Sequence, residues 1–171
     1  TGMVERIRFP DLALTPVAKA DQTIAHLDEK GLVLIGARHI TRVRDDGSTT
    51  DIPLADGPWR PVHMTPMPIL KNAAGQLLII PQTVAERATR FTPPHGAHFL
   101  NASPDATIAV TRDDTHLHIL TARGTSATIA MAQPVVAAWV TPDKRYVIAL
   151  HDDRRTVSVI DAAMGELAQA F

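Results

Sequence analysis

Ser103-Pro104-Asp105, Ile108-Ala109-Val110, Asp113-Asp114, Leu117 and Ile119 form a pattern that returns as Thr141-Pro142-Asp143, Val147-Ile148-Ala149, Asp152-Asp153, Val157 and Val159. The offset between the two copies is 38 to 40 residues. A unit of that size is a small sheet that cannot bury its own two faces, so it must stack on neighbours in a solenoid or a propeller. Weaker copies lie upstream. Leu27–Gly31 leads into Leu32–Gly36 and Ile40–Asp46, and Leu70–Gly75 leads into Leu77–Ile80 and a short remainder. The chain divides accordingly into units at about 23–65, 66–97, 98–135 and 136–171, preceded by a half unit at 4–20.

Inside each unit a short apolar run, a polar turn with Asp or Gly and an alternating run read as antiparallel strands, and no long stretch shows 3.6-residue periodicity. The last unit resolves into an inner strand Val135–Val140, a second Tyr146–His151, a third Thr156–Asp161 and an outer Glu166–Phe171, with Ala163-Met164-Gly165 as the turn before the outer one. The 13 prolines and nine glycines fall mainly between the runs and forbid long helices. Val4–Phe9 and Leu14–Ala18, joined at Pro10-Asp11, read as the third and outer strands of a further blade. The expected fold is all-β: a propeller-like stack of about four antiparallel four-stranded blades, belonging to a larger propeller or completed by another chain. Val147, Ala149, Val157 and Val159 are expected between blades, with Trp139 and Tyr146 in the core.

Tyr146-Val147-Ile148-Ala149, then Thr156–Asp161 and Gly165-Glu166, resemble the YVTN-type β-propeller repeat, a bacterial and archaeal relative of the WD40-like blade. The Ile108–Ile129 unit is a looser match and the first two units agree in outline. No unit carries the Gly-His and Trp-Asp pairs of true WD40 repeats. The resemblance implies a propeller fold, and it brings in the quinoprotein and haem-containing dehydrogenases, whose similar blades hold cofactors through loops and histidines.

Composition narrows the function classes. With 171 residues, 45% of them hydrophobic and 20% charged, the chain is sized and composed for one folded domain. Seventeen basic against 18 acidic side chains leave no strong field for nucleic acid or an anionic membrane. Apolar stretches such as Leu77–Pro81 and Val135–Val140 are far shorter than the roughly 20 residues of a membrane-spanning helix. The absence of cysteine removes disulfides and thiolate chemistry. Neither a Gly-x-Ser-x-Gly elbow nor a phosphate-cradling glycine loop is present. The sequence from Val4 to Pro10 shows no targeting pattern, and the compartment stays open.

The remaining candidates are few. His116 and His118 alternate on one strand face, and His95 and His98 share a proline-rich loop, but two ligands do not make a zinc or copper site, so neither metal nor cofactor is expected. The acidic pairs Asp45-Asp46, Asp113-Asp114 and Asp152-Asp153 recur once per unit, as turn chemistry would. Ser103-Pro104-Asp105 and Thr141-Pro142-Asp143 read as turns between blades. At 4%, aromatic residues are too scarce for a stacking platform. Trp59, beside Arg60 in a proline-rich linker, is either an exposed interface anchor or a ring plugging the seam between two units. Trp59, Arg60, His95 and His98 are therefore the candidate binding residues. No catalytic residue stands out. The expected function is a non-enzymatic protein-interaction or scaffold module holding a protein partner or another copy, a homodimer included; the alternative is the propeller portion of a quinoprotein- or haem-type oxidoreductase. A far-ultraviolet circular dichroism spectrum of the β type, without the double minimum of helix, is the expected outcome for the purified chain.

Overall fold

The computed structural model describes residues 2–8, 13–20, 24–28, 31–44, 46–63, 67–81 and 87–171, with only the backbone described through residue 31. A hairpin of β1 (Gly2–Arg8) and β2 (Ala13–Ala20) forms a separate two-stranded sheet; its expected turn at Pro10-Asp11 lies outside the described residues. Four antiparallel meanders follow. The first is β3 (Ile24–Asp28), β4 (Gly31–Ile35), β5 (His39–Val43) and β6 (Thr49–Pro53). The second is β7 (Arg60–His63), β8 (Ile69–Lys71), β9 (Leu77–Ile79) and β10 (Thr89–Phe91). The third is β11 (His98–Ala102), β12 (Ile108–Arg112), β13 (His116–Thr121) and β14 (Gly124–Ala130). The fourth is β15 (Val135–Val140), β16 (Tyr146–His151), β17 (Val157–Asp161) and β18 (Glu166–Ala170). The all-β expectation, with four-stranded antiparallel blades, holds.

Two adjacent residues on one strand face opposite neighbours. Leu70 and Leu78 pack with Val33, Ile35, Ile40 and Trp59 of the preceding unit, while Ile69 and Ile79 pack with Ala102, Ala109 and Leu120 of the following one. In the third sheet Ala109 and Leu120 turn back toward the second, and Val110 and Ile119 turn forward to meet Val135, Val147 and Ile160 of the fourth. Central sheets buried on both faces need apolar residues at successive positions, which explains runs such as Leu77–Ile80.

The second sheet starts earlier than the sequence boundary near residue 66. The proline-rich linker runs into β7, an edge strand, where Pro61, without an N–H, can sit with a register shift between Pro61 and His63. A second correction concerns the proline-containing turns. Ser103–Thr107 and Thr141–Arg145 join the first strand of a sheet to its second and do not connect blades, because the strands flanking each turn pair with one another. In both, the backbone N–H of the fourth residue, Ala106 or Lys144, donates to the carbonyl of the first at 2.8 Å, and that fourth residue has positive φ (56° and 61°).

The register within β17 also differs from expectation. Val147 and Ala149 are fully buried, but in β17 it is Ser158 and Ile160 that face the third sheet, leaving Val157 and Val159 half-buried on the opposite face. Trp139 shares that face through its pairing with Ile148 and is 49% exposed, not core. Tyr146 is half-buried. The two faces of this sheet are thus unequal in cost: Val147→Asp buries an unpaired carboxylate and is expected to cost about 3–5 kcal/mol, whereas Val157→Asp is expected to cost about 1 kcal/mol. Chemical denaturation of both variants measures the difference.

The acidic pairs act as turn residues. The Asp113 carboxylate accepts from the backbone N–H of Thr115 and His116 at 2.8 and 2.7 Å, Asp153 from those of Arg155 and Thr156 at 2.9 Å each, and Asp46 from Ser48 at 2.8 Å. Asp45 lies outside the described residues. The Thr156 hydroxyl and these N–H groups favour the charged form and draw the Asp153 carboxyl down to about 2; Asp113 is lowered as well, by Thr115 and then His116 and His118 against a desolvation penalty. A folded pKa below the unfolded one stabilises above the unfolded value, near 4, and the contribution disappears as pH falls through the folded value. Asp153→Asn, which keeps an accepting oxygen and loses the charge, is expected to flatten the fall in Tm between about pH 4 and about pH 2 while leaving the profile above about pH 5 unchanged in shape. A thermal-melt series across that range provides the measurement.

Candidate functional site

Arg60 on β7 stands directly across from Lys71 on β8. Both side chains are exposed, and among the described residues neither has an acidic partner. Like charges directly opposite one another on a sheet are destabilising. Three adjoining cavities of about 290, 330 and 340 Å³ open beside this pair. All three share Lys71, and they overlap pairwise at Val62, Asn72, Pro93 and Ala97, which makes them one continuous groove. Arg60 lines the part nearest Pro58, His98 the part beside Phe99 and His95 the part formed by the loop after β10. Among the described residues, no aspartate or glutamate lines it.

The floor is held by short polar links. The Asn72 side chain accepts from the Gln76 N–H at 3.0 Å and donates to the Gln76 side chain at 2.8 Å and the Asp56 carbonyl at 3.2 Å, tying the β8–β9 turn to the linker before β7. Gly75, with φ of 82°, closes that turn in a conformation a side chain would resist. On the far wall, Ala97 N–H donates to the Pro94 carbonyl at 3.1 Å and so orders the loop carrying His95.

Of the two readings of Trp59, the ring plugging the seam holds and the exposed anchor does not. Its ring is 2% exposed, packed with Ile35, Ile40, Leu70 and Ile80 in the seam between the first two sheets. The indole N–H donates to the Ala55 carbonyl at 3.0 Å and the backbone N–H to that of Ala37 at 2.8 Å. Outside the ring, the Arg90 guanidinium lies 5.6 Å from its centroid and pairs with Asp56 at 2.5 Å. Trp59 therefore fixes the entry into β7, and Arg60, the next residue, emerges on the solvent side.

Of the four candidates, three line the groove and Trp59 lies in the seam below the strand. Lys71 was missed. It is 11 residues from Arg60, and only the strand register, hidden by Pro61, brings them together. The other histidine pair is engaged locally: His118 is 4% exposed, with Nε2 3.1 Å from Asp113 and Nδ1 3.2 Å from the Thr128 hydroxyl, and His116 Nδ1 is 2.8 Å from the Thr115 hydroxyl. Among the described residues no three histidine or acidic groups converge as metal ligands.

No protein-family model and no curated protein matches the chain. Solved structures resemble it. The structure of the dihydro-heme d1 dehydrogenase NirN in complex with DHE aligns with a TM-score of 0.54 at 15% identity, covering 99% of this chain and 42% of that one. A chain of the mitotic checkpoint complex aligns with a TM-score of 0.51 at 12% identity, covering 99% and 57%. Hsv2 from Kluyvelomyces marxianus gives 0.51 at 12%, covering 86% and 49%. The chain spans about half the length of these structures. All three are WD40-like or other β-propeller proteins, and at such identities the likeness concerns the fold: the chain is built as a propeller-like stack of antiparallel blades.

Proposed function

We propose that the chain is a non-enzymatic protein-interaction module, assembled from blades of the YVTN type, that holds an acidic segment of a protein partner in the groove beside Lys71. The cross-strand Arg60–Lys71 pair carries this reading. Two cations placed opposite each other, with no acidic partner among the described residues, cost folding energy, and an incoming carboxylate relieves that repulsion. His95 and His98 extend the donor-rich lining, while Val62 and Pro93 supply apolar contact. The groove is open to solvent, and the hydrogen bonds that hold its floor and far wall lower the ordering cost of binding.

Fluorescence anisotropy with labelled hexaglutamate tests the proposal. Wild-type protein is expected to bind at low salt and to lose affinity as salt rises, since exposed charges are screened. Arg60→Glu combined with Lys71→Glu is expected to weaken binding at least about tenfold. Equal binding by wild type and double variant, or none by wild type, overturns the assignment. The competing reading, the propeller portion of a quinoprotein- or haem-type oxidoreductase, rests on likeness of fold and calls for a visible absorbance band on the purified chain.

A further inference from the structure

The second and third sheets share one register, irregularity included. Each begins with a cross-strand pair, Arg60 with Lys71 in one and His98 with Arg112 in the other. The pair Pro61–Leu70 or Phe99–Thr111 comes next, and then one extra residue, Val62 or Leu100, shifts the register. Packing agrees with this correspondence. Ile69 and Val110, two positions before Lys71 and Arg112, each pack against the following sheet, so Lys71 and Arg112 lie on that same face by alternation. The next residue closes the turn in both cases: the Asn72 side chain accepts from the Gln76 N–H, and the Asp113 carboxylate from the N–H of Thr115 and His116.

This repeat position carries basic side chains in two neighbouring sheets and not in the flanking ones. In the first sheet the end pair is Ile24 with Ile35, and in the fourth Leu150, one repeat after Arg112, pairs with Ala137. Arg60, Lys71 and His98 are exposed and Arg112 is half-buried. Among the described residues Arg112, like Arg60 and Lys71, has no acidic partner. One of its terminal nitrogens donates to the Asp113 carbonyl at 3.5 Å, and its Nε has no partner among the described residues. The cavity of about 290 Å³ lies between the two pairs, with Lys71 on one side and His98 and Phe99 on the other. Both sheets have a neighbouring sheet of this chain packed on each face, so this basic rim belongs to the interior of the stack.

We infer that the groove reads its acidic segment at two points one repeat apart, one carboxylate at Arg60 and Lys71 and a second at His98 and Arg112. The inference rests on the groove being an acidic-segment site and adds the spacing. Packed sheets lie about 10 Å apart and an extended chain advances about 3.3 Å per residue. The two carboxylates therefore belong to residues three apart on an extended segment, in the order acid-x-x-acid. Adjacent acids satisfy one pair and leave the other without a partner.

Two labelled peptides of equal composition and charge provide the test. Each carries two glutamates in a serine background with blocked ends, separated by two serines in one peptide and adjacent in the other. By fluorescence anisotropy at low salt, wild type is expected to favour the spaced peptide at least about threefold, the scale of one exposed charge contact. Arg112→Gln is expected to make the two affinities equal, and so is His98→Glu, whose exposed position keeps the test open should Arg112→Gln fold poorly. Equal affinities in wild type, or an undiminished preference in His98→Glu, overturn the inference. Hexaglutamate binding that still depends on Arg60 and Lys71 would then leave the groove assignment standing, whereas a wild type that binds neither peptide nor hexaglutamate overturns both.

Discussion

A four-stranded sheet of five-residue strands is too thin to bury anything by itself, and the rest of this molecule follows from that constraint. Each strand must send neighbouring side chains in opposite directions, Ile69 toward one sheet and Leu70 toward another, so stability resides in the seams and not in the blades. A fully buried leucine or isoleucine contributes about 1.5–3 kcal/mol relative to exposure. Each seam holds several such residues, and a blade without neighbours forfeits them all.

Polar contacts then fix how the sheets align. Between the third and fourth sheets the Lys144 ammonium reaches the Asp105 carboxylate at 2.7 Å and the Val140 N–H donates to the Asn101 side chain at 3.4 Å. Gly165 lies so close that a Cβ there would fall 2.4 Å from that of Ala127. The half-exposed ion pair adds little energy by itself. Its value is registry, because it joins the turn of one repeat to the equivalent turn of the next.

This architecture leaves the sheet rims and connecting loops free of packing duty, and the groove is made there. Trp59 is spent on the seam, which anchors the linker; the residue after it, Arg60, is thereby aimed outward beside Lys71. Packed support below and exposed charge above are the ordinary division of labour in a repeat protein, in which the scaffold is common to many members and the rim residues differ.

The repeat in Ser103–Ile119 and Thr141–Val159 was enough to determine the strands of the last sheet nearly to the residue, because turn chemistry and hydrophobic runs are local properties. The candidate site was legible in part: Arg60, His95 and His98 stood out by residue type and loop context, whereas Lys71 carried no local signal, and packing chose the seam among the two readings the sequence offered for Trp59. Two further features were decided by tertiary structure alone. Pro61 is tolerated because its strand lies at a sheet edge, and Ser158 with Ile160, not Val157 with Val159, faces the third sheet. Sequence determines where a strand runs and which side chains share a face; which of the two faces is covered depends on the neighbouring sheet, and that neighbour is set by packing across the seam.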